Sequence, residues 1–103
     1  MARLGEVVRQ VRSKNAGPFW LTVDIFCGSD AAFARVRDAL KDEEVARLFR
    51  CAPARLRRFD IASLNAIKIS LPRPVVQGSP GDRDLHGASY ANLLAEMEIP
   101  DNS

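Results

Sequence analysis

Two polar stretches hold most of the side chains able to do chemistry. The first is Arg12-Ser13-Lys14-Asn15, which runs into Ala16-Gly17-Pro18-Phe19. Two cations, a hydroxyl and an amide in a row can hold a carboxylate or a phosphate, with arginine supplying a bidentate fork. The same charges also suit a helix C-terminus, whose dipole they complement. The dipole does not explain the Asn-Ala-Gly-Pro that follows. The second stretch is Gly78-Ser79-Pro80-Gly81-Asp82-Arg83-Asp84-Leu85-His86-Gly87. Ser79, His86 and either aspartate spell a nucleophile, base and orienting acid. A turn stapled by Asp and Ser side chains uses the same letters. Asp82 and Asp84 lack the further oxygen ligands and the closing glutamate of an EF-hand. His86 is the only histidine, which excludes a multi-histidine metal centre. A third candidate is the pair Asp24 and Lys68. They form a cross-strand ion pair or an edge-guarding lysine if they are structural, and a proton carrier if burial shifts one of them.

The elements that must position these groups follow from periodicity. Leu4, Val7, Val8 and Val11 recur at three and four, which predicts a helix over about residues 3–12 ended by Asn15 and Gly17-Pro18. Valines also suit strands. Phe19 to Cys27 alternates: Phe19, Leu21, Val23, Ile25 and Cys27 on one face, Trp20, Thr22, Asp24 and Phe26 on the other. This strand should be central, with its aliphatic face under helices. Trp20 and Phe26, sharing a face with Asp24, are the expected patch for a partner. Gly28-Ser29-Asp30 turns the chain and caps a helix carrying Phe33, Val36 and Leu40. Asp42 can cap a second helix with Val45, Leu48 and Phe49, stopped before Pro53. Strands over 57–62 and 65–71 form a hairpin across Ser63-Leu64-Asn65. Ile67, Ile69 and Leu71 face its core, and Pro72 and Pro74 end it. Tyr90, Leu93, Leu94 and Met97 mark a last helix. The order α-β-αα-β-β-loop-α predicts an α+β two-layer sandwich, ferredoxin-like, with a small, mainly antiparallel sheet covered by helices.

Composition narrows the function classes. At 103 residues and 47% hydrophobic the chain suffices for one core. A net charge of +2 argues against a dedicated nucleic-acid binder. Arg47, Arg50, Arg55, Arg57 and Arg58 form the one local excess, a solvated face or a site for an acidic partner or phosphate. The start shows no apolar signal region and no run approaches a membrane span, so the expectation is a cytoplasmic protein with Cys27 and Cys51 reduced. Neither cysteine has a Cys or His at metal-ligand spacing. The glycines at 78, 81 and 87 match neither the dinucleotide nor the P-loop spacing, and no cofactor is expected.

Three separated motifs then carry a resemblance: Arg12-Ser13-Lys14-Asn15-Ala16-Gly17-Pro18-Phe19, Ala66-Ile67-Lys68-Ile69-Ser70-Leu71-Pro72-Arg73-Pro74 and Gly78-Ser79-Pro80-Gly81-Asp82. Together they resemble the small family called domain of unknown function 4387, over nearly the whole chain. His86 and Ser89 stand where that pattern has tyrosine and glutamine. The family is in turn similar to the C-terminal ferredoxin-like domain of the acyclic-terpene-utilisation (AtuA-like) proteins. The parallels are Arg12-Ser13-Lys14, Leu40-Lys41-Asp42-Glu43-Glu44-Val45-Ala46 and Leu93-Leu94-Ala95-Glu96. The resemblance implies a single small-subunit domain over 1–99 with a tail at 100–103. Its partner would be a separately encoded large AtuA-like subunit, and the pair a lyase or hydro-lyase on a carboxylate or acyl-thioester small molecule, with no nucleic acid or membrane involved. The expected proton-handling residues are then Lys68, Asp82 and His86. Arg12, Ser13, Lys14, Asn15, Arg73 and Ser79 are expected to hold the substrate, the 12–15 and 78–86 segments approaching each other. A non-catalytic structural or regulatory domain docking the same partner is the alternative.

Overall fold

A computed structural model describes residues 2–17, 19–72 and 90–99. Its centre is strand β3, Trp20–Phe26, which pairs antiparallel on one side with β2, Gln10–Asn15, and on the other with β5, Ala66–Pro72. Strand β4, Arg57–Ile61, closes the order β2-β3-β5-β4. Leu21, Val23 and Ile25 of β3 lie beside Leu71, Ile69 and Ile67 of β5. All six are fully buried. The helices supply the other half of this core. They are α2 (Asp30–Ala39) with Phe33 and Val36, α3 (Asp42–Leu48) with Val45 and Ala46, and α4 (Tyr90–Ala95) with Leu94. A short pair, β1 (Ala2–Arg3) with β6 (Glu98–Ile99), ties the two ends of the domain together. The architecture is the expected α+β sandwich. Its connectivity is two antiparallel hairpins joined by a helical crossover, with the central pair antiparallel, where the ferredoxin-like unit runs β-α-β-β-α-β.

The predicted helix over 3–12 is replaced by one turn and a strand. Helix α1 spans only Leu4–Val7, and Val8 is already extended at its end. Val11 pairs with Ile25 in the sheet. The three valines satisfied a helical spacing by coincidence. Their branched side chains prefer the pleated surface, and a central strand with an open edge was waiting for a partner. The stretch Arg12 to Asn15 is therefore strand. The chain reverses after Asn15, and there Gly17 at φ 85 supplies a left-handed step. The Ala16 N–H donates to the Trp20 carbonyl at 2.9 Å across that turn.

Two further local expectations hold and one does not. Ser29 caps α2, its Oγ accepting from the Ala32 N–H at 3.1 Å. The β4–β5 connection closes through a tight turn over Ala62–Leu64 and Asn65 at φ 49, a conformation asparagine tolerates. Asp42 was expected to cap α3, but Lys41 occupies that position and Asp42 is the first helical residue. Its carboxylate instead accepts from Arg58 Nη1 at 3.2 Å.

Arg58 is the anchor of the crossover. It sits on the helix-side face of β4, opposite Ile69, with only 12% of its side chain exposed. Nη2 donates to the Arg37 carbonyl at 2.8 Å, and Nη1 donates to the Leu40 carbonyl. Nε donates to Asp60 at 2.8 Å. One guanidinium thus satisfies two carbonyls at the end of α2 and holds the start of α3, work that a helix C-terminus otherwise leaves to water. Among the five clustered arginines, this one is structural.

Two outcomes follow. Arg58→Ala should cost about 2–4 kcal/mol, because several charge-assisted bonds of 1.5–3 kcal/mol each are lost without full additivity. Arg58→Lys should recover little, since one ammonium cannot span the fork. Melting curves of the two variants decide it, and a wild-type midpoint for Arg58→Lys would contradict the assignment. The second concerns Cys27, which is buried, and Cys51, which is half-buried. Burial raises both thiols, with Arg55 opposing the rise at Cys51. A raised acid keeps its proton longer when folded, so its stabilising contribution is full below the ordinary value of 9.0 and is lost as pH climbs through the raised one. Cys27→Ala should therefore flatten the fall in melting temperature above that pH. A curve parallel to the wild type's would contradict it.

Candidate functional site

Because the aliphatic residues of β3 and β5 turn toward the helices, their alternates form a second face. Directly opposed residues in an antiparallel sheet share a face, so the register reads this surface out row by row. One row is Arg12, Asp24, Lys68 and Phe59 across β2, β3, β5 and β4. The next is Lys14, Thr22, Ser70 and Arg57. Beyond the first lie Gln10, Phe26, Ala66 and Ile61, and beyond the second Trp20 beside Pro72. Arg12, Lys14, Arg57, Lys68 and Phe59 are exposed, and Asp24, Trp20 and Phe26 half-buried. The buried apolar residues of α2 and α3, and Leu94 of α4, belong to the cluster on the other side of the sheet.

The face is electrostatically one-sided. Its rows hold the cations Arg12, Lys14, Arg57 and Lys68 and the single carboxylate Asp24. Among the described residues, none of these five takes part in an ion pair. Arg12, Lys14, Asp24 and Phe26 line a concavity of about 270 Å³, with Ser13 at its wall. That is close to the lower size of small-molecule sites. Carboxylates and phosphates are the groups such a cleft attracts. Outside the cleft, at the far end of β3, stands Trp20, with the Arg55 guanidinium 5.8 Å from its ring centroid.

Thr22 is the unusual member. It is 8% exposed, and its hydroxyl has no hydrogen-bond partner among the described residues. A buried hydroxyl left in that state costs about 1–3 kcal/mol.

The strand splits the run that looked like one clamp. Arg12 and Lys14 point to the open face. Ser13 and Asn15 oppose Val23 and Leu21 and so turn to the helix side. Ser13 Oγ there accepts from the Ala91 N–H at 2.8 Å, tying the first turn of α4 to β2. The pair Asp24 and Lys68 does face across the central strands, as the alternation suggested. Arg73, Ser79, Asp82 and His86, and with them the approach of the 78–86 segment, lie outside the described residues. Thr22 was not singled out, and Arg57 entered only as one of five clustered arginines. Thr22 read as one polar alternate among several, and Arg57 as part of a charged turn. Knowing that 12–15 is a strand would have exposed both, because only then do the rows close.

A four-stranded antiparallel sheet with helices on one face and, among the described residues, a cationic, aromatic-edged surface on the other defines the class: a small α+β sandwich. The chain belongs to the family described as domain of unknown function 4387 (DUF4387), whose model matches residues 4–98. No curated protein and no solved structure matches it.

Ser13→Ala should lower stability by about 1 kcal/mol, the usual cost of a lost cap. It should leave the affinity of the Arg12–Lys14 cleft for anions such as succinate unchanged. Unaltered melting with lost anion affinity would reverse the assignment and return Ser13 to the site.

Proposed function

We propose that this chain is the small subunit of a two-component AtuA-like enzyme, a lyase or hydro-lyase acting on a carboxylate or acyl-thioester substrate. Its cationic sheet face forms one wall of a site completed by a separately encoded large subunit. The observation that carries the reading is the row Arg12–Asp24–Lys68, set side by side on three adjacent strands with Lys14 next to it. Such a row is a ready anion wall on a rigid support. A cleft of about 270 Å³ open along one side needs a second surface to exclude water, which suits a subunit better than an independent enzyme. The kind of partner follows from the resemblance of Arg12-Ser13-Lys14, Leu40-Lys41-Asp42-Glu43-Glu44-Val45-Ala46 and Leu93-Leu94-Ala95-Glu96 to AtuA-like proteins.

The chemistry asked of the wall is modest. Elimination of water next to a carboxylate or thioester carbonyl builds negative charge on the carbonyl oxygen as the α-proton leaves. Arg12 and Lys14 would hold that oxygen or the neighbouring carboxylate, which is where fixed cations accelerate such steps. Lys68 and Asp24, one strand apart, are the groups on this chain able to pass a proton at the wall. The same exposed face, with Phe59 52% exposed at its edge, also supports the alternative of a docking surface without catalytic residues.

Co-expression with the large subunit should yield a complex by size exclusion, active only when both chains are present. Arg12→Ala or Lys14→Ala should then lower turnover about ten- to a hundredfold with assembly intact, the cost of one charge-assisted bond. Assembly lost with activity per complex unchanged would favour docking. Full activity of both variants in an intact complex would defeat the wall.

A further inference from the structure

On the helix side, α3 and α4 leave a groove that the core does not fill. Phe49 packs edge-on against Tyr90 at one end, with ring centroids 6.1 Å apart. Glu44 stands with Glu96 and Met97 at the other, so the two helices run antiparallel. Two open concavities, of about 530 and 320 Å³, follow one another along the seam and share Leu48 and Leu93. Leu93 is 47% exposed at this midpoint, while its neighbour Leu94 fills the core. An exposed leucine in an apolar groove marks a surface that binds another.

The charges along the seam are ordered. Glu44 and Glu96 mark one end and Arg50 the other, with Arg47 one turn in from Glu44. Among the described residues, none of the four takes part in an ion pair. Arg50 also holds a left-handed backbone, φ 55, just past α3, where glycine is the unstrained choice. The arginine completes the charge gradient of the seam, which glycine would not. A groove acidic at one end, basic at the other and apolar in the middle is complementary to itself. A two-fold axis through the midpoint lays Leu93 of one copy on the apolar centre of the other. It also brings the Arg50 end of each copy onto the Glu44 and Glu96 end of its mate. Apolar burial then supplies the attraction, and the charge order fixes the orientation.

We propose that the α3–α4 seam is the interface of a two-fold dimer of this chain. A different partner would have to reproduce the gradient, whereas a second copy carries it already. The cationic sheet face does not suit this role, because Arg12, Lys14, Arg57 and Lys68 would meet their own kind. In the dimer the helices lie inside and the two cationic faces outside. Each face stays free for a large subunit, so the dimer is compatible with the wall and does not depend on it.

The two helices are only about two turns long, so the dimer is weak, with a Kd on the order of micromolar. Sedimentation equilibrium of the full chain alone should show monomer giving way to dimer as concentration rises through that range. Leu93→Gln should weaken the dimer about tenfold or more without loss of fold, since the side chain is half-exposed. Arg50→Gly relieves the left-handed backbone, so it should melt no lower than the wild type, yet it should dimerise about tenfold more weakly. Arg50→Glu should weaken the dimer further, and adding Glu96→Arg should restore most of the loss. A wild type that stays monomeric up to about 1 mM overturns the inference. So does a dimer left intact by Leu93→Gln and Arg50→Gly, or a loss in Arg50→Glu that Glu96→Arg does not restore. A dimer lost with Phe59→Ser but kept by Leu93→Gln overturns it in favour of the sheet face. A monomer whose binding of the large subunit is lost with Leu93→Gln overturns it in favour of that subunit as the occupant.

Discussion

The register between β3 and β5 is the constraint from which the rest of the molecule follows. Leu21, Val23 and Ile25 must lie against the helices, and so must Ile67, Ile69 and Leu71. Each such side chain contributes about 1.5–3 kcal/mol by leaving water. A slip of one residue would turn all three on a strand to the solvent at once. That energy sets the pairing, and the pairing sets everything on the other face. Asp24 meets Lys68 and Thr22 meets Ser70 because Val23 meets Ile69. The polar rows need no interaction of their own to be aligned. This is how a sheet can afford a face crowded with like charges: the repulsion between surface cations is screened and small beside the aliphatic burial that fixes them.

The two hairpins meet only through their second strands, so the crossover between them decides where the helices sit. Arg58 resolves that geometry at one point. It belongs to the second hairpin yet bonds to the end of α2 and the start of α3. Ser13 does the same on the opposite edge, joining β2 to α4. Both sit on the helix-side face, opposite Ile69 and Val23 in a single cross-sheet line. Polar side chains facing the helices thus clamp the layers together. Those facing away take no part in that clamp.

Most of the fold was legible where alternation was long enough to be unambiguous. Strand β3, the β4–β5 hairpin and the buried faces of α2 and α3 read directly from the chain, because period two and period three-and-a-half diverge over seven or more residues. The first fifteen residues did not. Leu4, Val7, Val8 and Val11 satisfy a helical spacing, and nothing local weighs one turn against a strand. What decides is the unpaired edge of β3, which no local window contains. The dipeptide Gly17-Pro18 shortly after Asn15 was the available clue in the sequence, since such a pair marks a turn. The error propagated to the site. A loop can gather four consecutive side chains around one anion, whereas a strand sends Ser13 and Asn15 one way and Arg12 and Lys14 the other. Arg58 was hidden for a different reason. Beside Arg55 and Arg57 it looks like one more surface charge, and only the third dimension shows which carbonyls lie within its reach.

Net charge alone does not give the sign of this surface. The excess of +2 over the whole chain is small. Its carboxylates, however, are not spread evenly. Asp42 and Asp60 are taken up by Arg58, and Glu43 and Glu44 stand in the first turn of α3, where they complement the dipole. Of the carboxylates in the sheet, only Asp24 lies on the open face, against four cations. Partition of charge by secondary structure, rather than total charge, gives the face its sign. The field a ligand meets over the Arg12–Lys14 cleft is set within a Debye length of about 8 Å, a distance that reaches the neighbouring strands and the next row but not the far side of the helices. A nearly neutral chain can on these terms present a strongly cationic site, and it does so by spending its acids on helix ends and on the corner that holds the fold.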